Sequence, residues 1–213
     1  MYIIEESRDK FEKLLAESVQ NNGHLCPGQV LGVKMSLRGL SEIGIQDPKC
    51  KQRKDFMVIV EMDRCVLDAV QSVTGCSPGR RTLKLMDYGK MAATFVNLQT
   101  GRSVRILARE DSRELAKEYA PEISDVYAAQ CEAYKIMSDE QLFEVTYVEV
   151  LLRPEDMPGR PLRRIRCDSC GEQVQDMREI YRNGKVLCKP CADGGYYYTK
   201  LIQEKRTGSD VSH

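Results

Sequence analysis

Between Glu5 and Gln20 the apolar residues Phe11, Leu14, Leu15 and Val19 recur at helical steps among charged positions. That spacing predicts an amphipathic helix, which Asn21-Asn22-Gly23 ends. A second pattern of the same period, Val30, Leu31, Met35, Leu37 and Leu40, predicts a helix from about Gly28 to Glu42, with Pro27 at a first position where no amide hydrogen is needed. Gly28 and Gly32 lie four apart on one face, so a second backbone or a ligand can approach there, or the helix simply packs tightly. Phe56 to Val60 is an unbroken apolar run and predicts a buried strand. Asp63 then caps a third helix, Arg64 to Val73, which Gly75 ends. Three strands are expected next, Thr82 to Met86, Met91 to Asn97 and Ser103 to Ala108, and their short turns imply an antiparallel meander. Asp111 or Ser112 starts another helix and Ser124 one more through Ile136, before a strand from Phe143 to Leu152. The fold class predicted is α+β, with helices packed on a mixed, largely antiparallel sheet.

The pattern changes after that strand. Pro154, Pro158, Gly159 and Pro161 alternate with Arg153, Arg160, Arg163 and Arg164. Residues 1–152 therefore read as a core domain, 153–165 as an Arg/Pro-rich linker and 166–213 as a small module. Acidic and basic residues balance at 32 each over 213 residues, which argues against nucleic acid as a partner. No apolar run reaches the roughly 20 residues of a membrane span, and the first residues lack a signal-peptide pattern. The expectation is a soluble cytoplasmic protein.

Nine cysteines in such a chain point to metal ligands, redox thiols or buried side chains rather than disulfides. Cys167-x-x-Cys170 and Cys188-x-x-Cys191 stand 17 residues apart around a hairpin-like Tyr181-Arg182-Asn183-Gly184-Lys185-Val186. This is the four-thiolate spacing of a structural zinc, and a helix over Tyr196 to Lys205 would make the module a treble clef rather than a plain ribbon. A second constellation is spread more widely: His24, Cys26, Cys65 and Cys76, each beside a helix end, a turn or a cap. Cys26 falls at the N-cap of its helix, where free amides and the macrodipole favour a thiolate. An imidazole with thiolates suits zinc; the alternative is a surface histidine with three small buried cysteines. If Cys76 ligates, the site is closed and structural; if not, it is open and able to polarise a carbonyl or activate water. Cys50 and Cys131 have no such context and read as structural or incidental.

Four ordered segments carry a resemblance: His24-Leu25-Cys26-Pro27-Gly28 with Gly32, Asp63 through Gln71, Thr74-Gly75-Cys76-Ser77-Pro78-Gly79, and Asp87-Tyr88-Gly89-Lys90. Over roughly residues 10–150 the chain resembles the formylmethanofuran dehydrogenase E-subunit family. The resemblance implies a core like the catalytic-domain type of glyceraldehyde-3-phosphate dehydrogenase, a metal at the histidine and cysteine motif, and a homodimer. It also implies a place in one-carbon or molybdopterin-dependent redox metabolism, with a larger redox enzyme complex as a possible partner. Arg80 stands where the family often shows lysine, and it keeps the charge without lysine's chemistry. On this reading Asp68 orients a ligand and Lys90 faces the open position, as candidate catalytic groups. Two other functions compete: a nucleic-acid or transcription-associated zinc module, and a stand-alone metalloenzyme with an open His/Cys site.

Overall fold

The computed structural model describes residues 2–197, with side chains from residue 8 onward. The chain forms two compact units, Met1–Gly159 and Arg160–His213. In the first, helices α1 (Tyr2–Asn22), α2 (Pro27–Glu42) and α3 (Cys65–Thr74) pack with α4 (Ser112–Tyr119) and α5 (Val126–Ile136). The five strands are β1 (Phe56–Val60), β2 (Leu83–Leu85), β3 (Ala92–Asn97), β4 (Ser103–Ala108) and β5 (Phe143–Tyr147), in the order β2-β1-β3-β4-β5.

The sheet is mixed and largely antiparallel, but the expected meander is wrong at its first strand. β2 pairs parallel with β1 and does not touch β3. The cause is the Asp87-Tyr88-Gly89-Lys90 segment, which makes no hairpin. The backbone amides of Tyr88 and Lys90 both donate to the Glu61 carbonyl, at 2.9 and 3.2 Å, and Gly89 takes a left-handed φ of +65° beside the Asp87 carboxylate that accepts its amide. The chain thus loops over the end of β1 and enters β3 on the other side.

Strand alternation sends Phe56, Val58, Val60, Phe95, Val104 and Ile106 to the helical face, where they join Val30, Val33 and Met35 of α2 in one core. The other face is not bare, since Met57, Ala92 and Val96 are also buried there. Val148 still pairs with β4 through its amide to the Ser103 carbonyl, yet seven residues later the Glu155 carbonyl accepts from the Arg81 guanidinium beside β2. The segment after β5, which includes a 3₁₀ turn at Pro154–Asp156, is thus tied back to the chain just ahead of β2.

The sheet face that carries Met57 also holds a half-buried ion pair. Arg105 grips Glu61 with two bonds of 2.6 and 2.7 Å, and this guanidinium holds the Glu61 carboxyl below its usual range against the opposing effect of burial.

In the second unit, β6 (Arg164–Arg166) pairs with β7 (Gln173–Gln175), and β8 (Ile180–Arg182) with β9 (Lys185–Leu187), before a short helix α6 (Lys189–Asp193). Asn183 and Gly184 both have positive φ, 51° and 73°, as a tight primed hairpin turn requires. The helix expected over Tyr196 to Lys205 lies almost wholly outside the described residues, as does His213.

Candidate metal centres

Gly23 ends α1 at φ +86°, leaving only a short link to α2. His24 stands in that link, and Cys26 is the extended N-cap of α2 at φ −149° and ψ 163°. Cys65 opens α3, whose N-cap is Arg64 rather than Asp63. What joins these helix starts is Gly32. A Cβ there would lie 2.5 Å from the Ala69 Cβ and 3.1 Å from the Val66 carbonyl, so glycine lets α2 and α3 cross almost backbone to backbone. The close approach that the glycine pair allows is therefore made by α3.

As a result the ligand atoms of His24, Cys26 and Cys65 all lie within 4.8 Å of one another, with His24 Nε2 at 4.0 Å from Cys65 Sγ. Zinc bonds of about 2.0 Å to nitrogen and 2.3 Å to sulfur place tetrahedral donors about 3.5 Å apart, so a small closure seats an ion. The donor set, one imidazole and two thiols, fits zinc. The His24 Nδ1 pairs with the Asn22 carboxamide at 3.4 Å, an outer contact that fixes the ring and leaves Nε2 toward the thiols.

The helix start alone does not make Cys26 a thiolate. Burial pushes its thiol above the ordinary value and the adjacent Cys65 adds to this, while the amides of Gln29 and Gly28 pull the other way. A bound cation would tip the balance toward the deprotonated form. Behind the cluster, Gln29 is fully buried. It accepts from the Ser18 hydroxyl of α1 and donates to the Cys65 carbonyl at 3.3 Å, tying α1, α2 and the first turn of α3 together.

Cys76 does not join this site. Ten-residue α3 is about 15 Å long, and Cys76 follows its far end, buried, with its amide donating to Thr74 Oγ1. Burial pushes its thiol up. The fourth-ligand expectation is thereby corrected: three protein donors meet, and the fourth side opens on a cleft of ≈ 400 Å³. Neither Asp68 nor Lys90 lines that cleft. Asp68 borders a polar hollow with Asn21, Gln71 and Arg80, and Lys90 another with Arg109 and Glu144.

Helix α5 contributes residues that spacing alone does not single out. Its Tyr127, Gln130 and Tyr134 line the cleft, and Cys131 borders an adjoining hollow with His24 and Cys26. The 127, 130, 131, 134 spacing is one helical face, a signal that carries no chemistry until α5 is known to lie across α2. Cys50 is exposed.

In the second unit the four thiols of Cys167, Cys170, Cys188 and Cys191 likewise lie within 4.8 Å of one another. Backbone amides from Cys170 and Cys188 pull the Cys167 thiol down to about 6, whereas crowding by Cys167, Cys191 and Cys188 together with burial overcomes the Glu172 amide and pushes Cys170 up to about 12. Four thiols this close cannot all ionise without a cation. Three of its arginines are engaged within the unit: Arg163 with Glu179 and Tyr181, Arg166 with the Gly171 carbonyl, and Arg182 with Asp193.

An α+β unit with a His/Cys cluster, followed by a four-cysteine zinc finger, defines the class of protein. The chain belongs to the FmdE family, described as molybdenum formylmethanofuran dehydrogenase operon, whose pattern matches residues 22–144. Residues 160–197 match the prokaryotic dksA/traR C4-type zinc finger. The chain is similar to a probable S-adenosyl-L-methionine-binding protein of Archaeoglobus fulgidus, 29% identical over 212 residues, covering 89% of this chain and 55% of that protein. It thus spans about half the length of that curated relative. In fold it is similar to a crystal structure of a tungsten formylmethanofuran dehydrogenase FmdE-like protein from Syntrophus aciditrophicus, at TM-score 0.58 and 19% identity, covering 88% of this chain and 95% of that one. No helix among the described residues is long and apolar enough to cross a membrane.

Proposed function

We propose that the first unit is a metal-binding accessory protein of one-carbon, molybdopterin-linked redox metabolism, carrying zinc on His24, Cys26 and Cys65 beside the structural zinc of the finger. The carrying observation is the meeting of three donors, from two helix starts and one link, within 4.8 Å, on the floor of a cleft. Zinc there would supply a Lewis acid with an exchangeable position. The chain's own residues hold the donors in place, through Gln29 behind Cys65 and Asn22 behind His24. The family description supports the metabolic setting. A homodimer and association with a larger redox enzyme complex belong to the same reading, and mass measured in solution checks the dimer.

Metal analysis of the full chain tests the site. Two metals per chain falling to one in Cys65→Ala supports it, and one metal in both variants removes it. Cys76→Ala should retain two, because its thiol stands beyond the far end of α3.

A further inference from the structure

We propose that the cleft over His24, Cys26 and Cys65 selects a small carboxylate-bearing organic molecule, with Arg64 and Arg113 as the charge-reading residues. This rests on the metal reading of the same cluster. No aspartate or glutamate lines the cleft, whereas two guanidiniums do. Arg64 makes no ion pair among the described residues. Among the described residues the one ion pair of Arg113 is with Glu110 at 3.2 Å, both exposed, and an exposed pair of this kind is worth about 1 kcal/mol or less. It can therefore turn to a bound anion.

The rest of the local charge favours the same sign. Zinc with two thiolates is neutral, and the N-terminal ends of α2 and α3 add partial positive charge. With Glu110 counted against the two arginines, the cleft carries about one net positive charge, which matches a monoanion better than a phosphate dianion. Carboxylates do exist next door, in the hollow sharing His24, Cys26 and Tyr127, each with a local partner. Asp125 accepts the Ala128 amide at 2.7 Å as the cap of α5, and Glu132 pairs with Lys135 at 2.7 Å. They lie outside the lining of the cleft itself, and a cationic probe measures directly whether their charge outweighs the two arginines. Tyr127, 71% exposed, offers its ring to the body of the ligand.

The full chain loaded with Co²⁺ reports on the open site through its thiolate bands, since the closed four-cysteine site takes no added ligand. Three probes share a thiol donor and differ in charge: mercaptoacetate, 2-mercaptoethanol and 2-mercaptoethylamine. Arg64→Gln and Arg113→Gln should each weaken mercaptoacetate about three- to tenfold, with the neutral probe unchanged and the cation bound no worse. Differences intrinsic to the thiols cancel in each variant-to-wild-type ratio. Arg64→Lys should recover part of the loss, which separates charge from any effect on the α3 start. Equal changes for all three probes, or a preference for the cation, overturn the charge selection alone. Absence of any band that Cys65→Ala removes overturns the metal reading and this inference with it.

Discussion

The two cysteine clusters stand in opposite relation to their folds. In the first unit the donors hang on helix ends that an apolar core already holds: Val30, Val33, Met35, Val66 and Val70 are fully buried around them. In the second, the only buried residues among those described are Cys167 and Cys188 themselves. One unit folds and then offers a site; the other has little core except the ion it binds. On the proposed metal reading the first arrangement, with three protein donors, leaves a position over for a ligand, while the second supplies four. Exposure of the thiols does not separate them, since Cys170 and Cys191 are exposed whereas Cys26 and Cys65 are half-buried; the number of protein donors does.

Chelation should break the pair apart most visibly. Metal removal at neutral pH takes away binding free energy of about 10 kcal/mol or more from a module of this kind. The finger should then lose its protection against proteolysis while the thermal transition of the first unit persists. If both units unfold together, the two clusters do not differ in this way. Cys167→Ser should act as chelation does, because it removes the thiol that the Cys170 and Cys188 amides favour as an anion.

A finer separation comes from Gln29→Leu. It leaves the Ser18 hydroxyl and the Cys65 carbonyl without their buried partner, at a cost of about 1–3 kcal/mol in the first unit. Metal affinity at the His24 cluster should drop about tenfold, read by competition with a chromogenic chelator, and the finger should keep its zinc. An unchanged affinity would mean that Gln29 braces the helices without setting the site.

The smallest effect concerns acid. The Glu61 carboxyl is held below its unfolded value of 4.5 by Arg105, so its contribution is present above that value and disappears as pH falls through the lower folded one. Glu61→Gln should cost the first unit about 1 kcal/mol at neutral pH. Melting curves of wild type and variant should converge as pH falls below 4.5 and through the lower folded value. A gap that persists there would assign the loss to packing rather than charge.

Local rules make most of this architecture readable from the residues. Helical periodicity locates α1, α2, α3 and α5, Gly75 marks the end of α3, and Cys spacing identifies the finger. Non-local decisions escape. Whether β2 turns back on β3 or lies beside β1 depends on where the Tyr88 and Lys90 amides find an acceptor, and Glu61 is distant in sequence. Cys76 groups with the donors by its turn, which resembles theirs, but membership of a site is a matter of helix length, and α3 carries it away. The helix cap also lies one residue later than expected, at Arg64, since no side-chain bond is required to close the α3 start. Only the α2–α3 crossing at Gly32 brings Cys26 and Cys65 together, and a pair of glycines four apart announces closeness without naming the neighbour.

The bond between Arg81 and the Glu155 carbonyl decides where the first unit can be severed. Composition suggests a cut after Leu152, at the onset of proline and arginine. Such a cut removes Glu155 from Arg81, and with it the tie between the end of this unit and the start of β2. Glu155 is itself buried, so its loss opens a surface that the intact unit keeps from water. Anyone isolating the His24 site from the finger should end the fragment at Gly159, and should read instability of a shorter one as the loss of this tie, not as evidence about the metal.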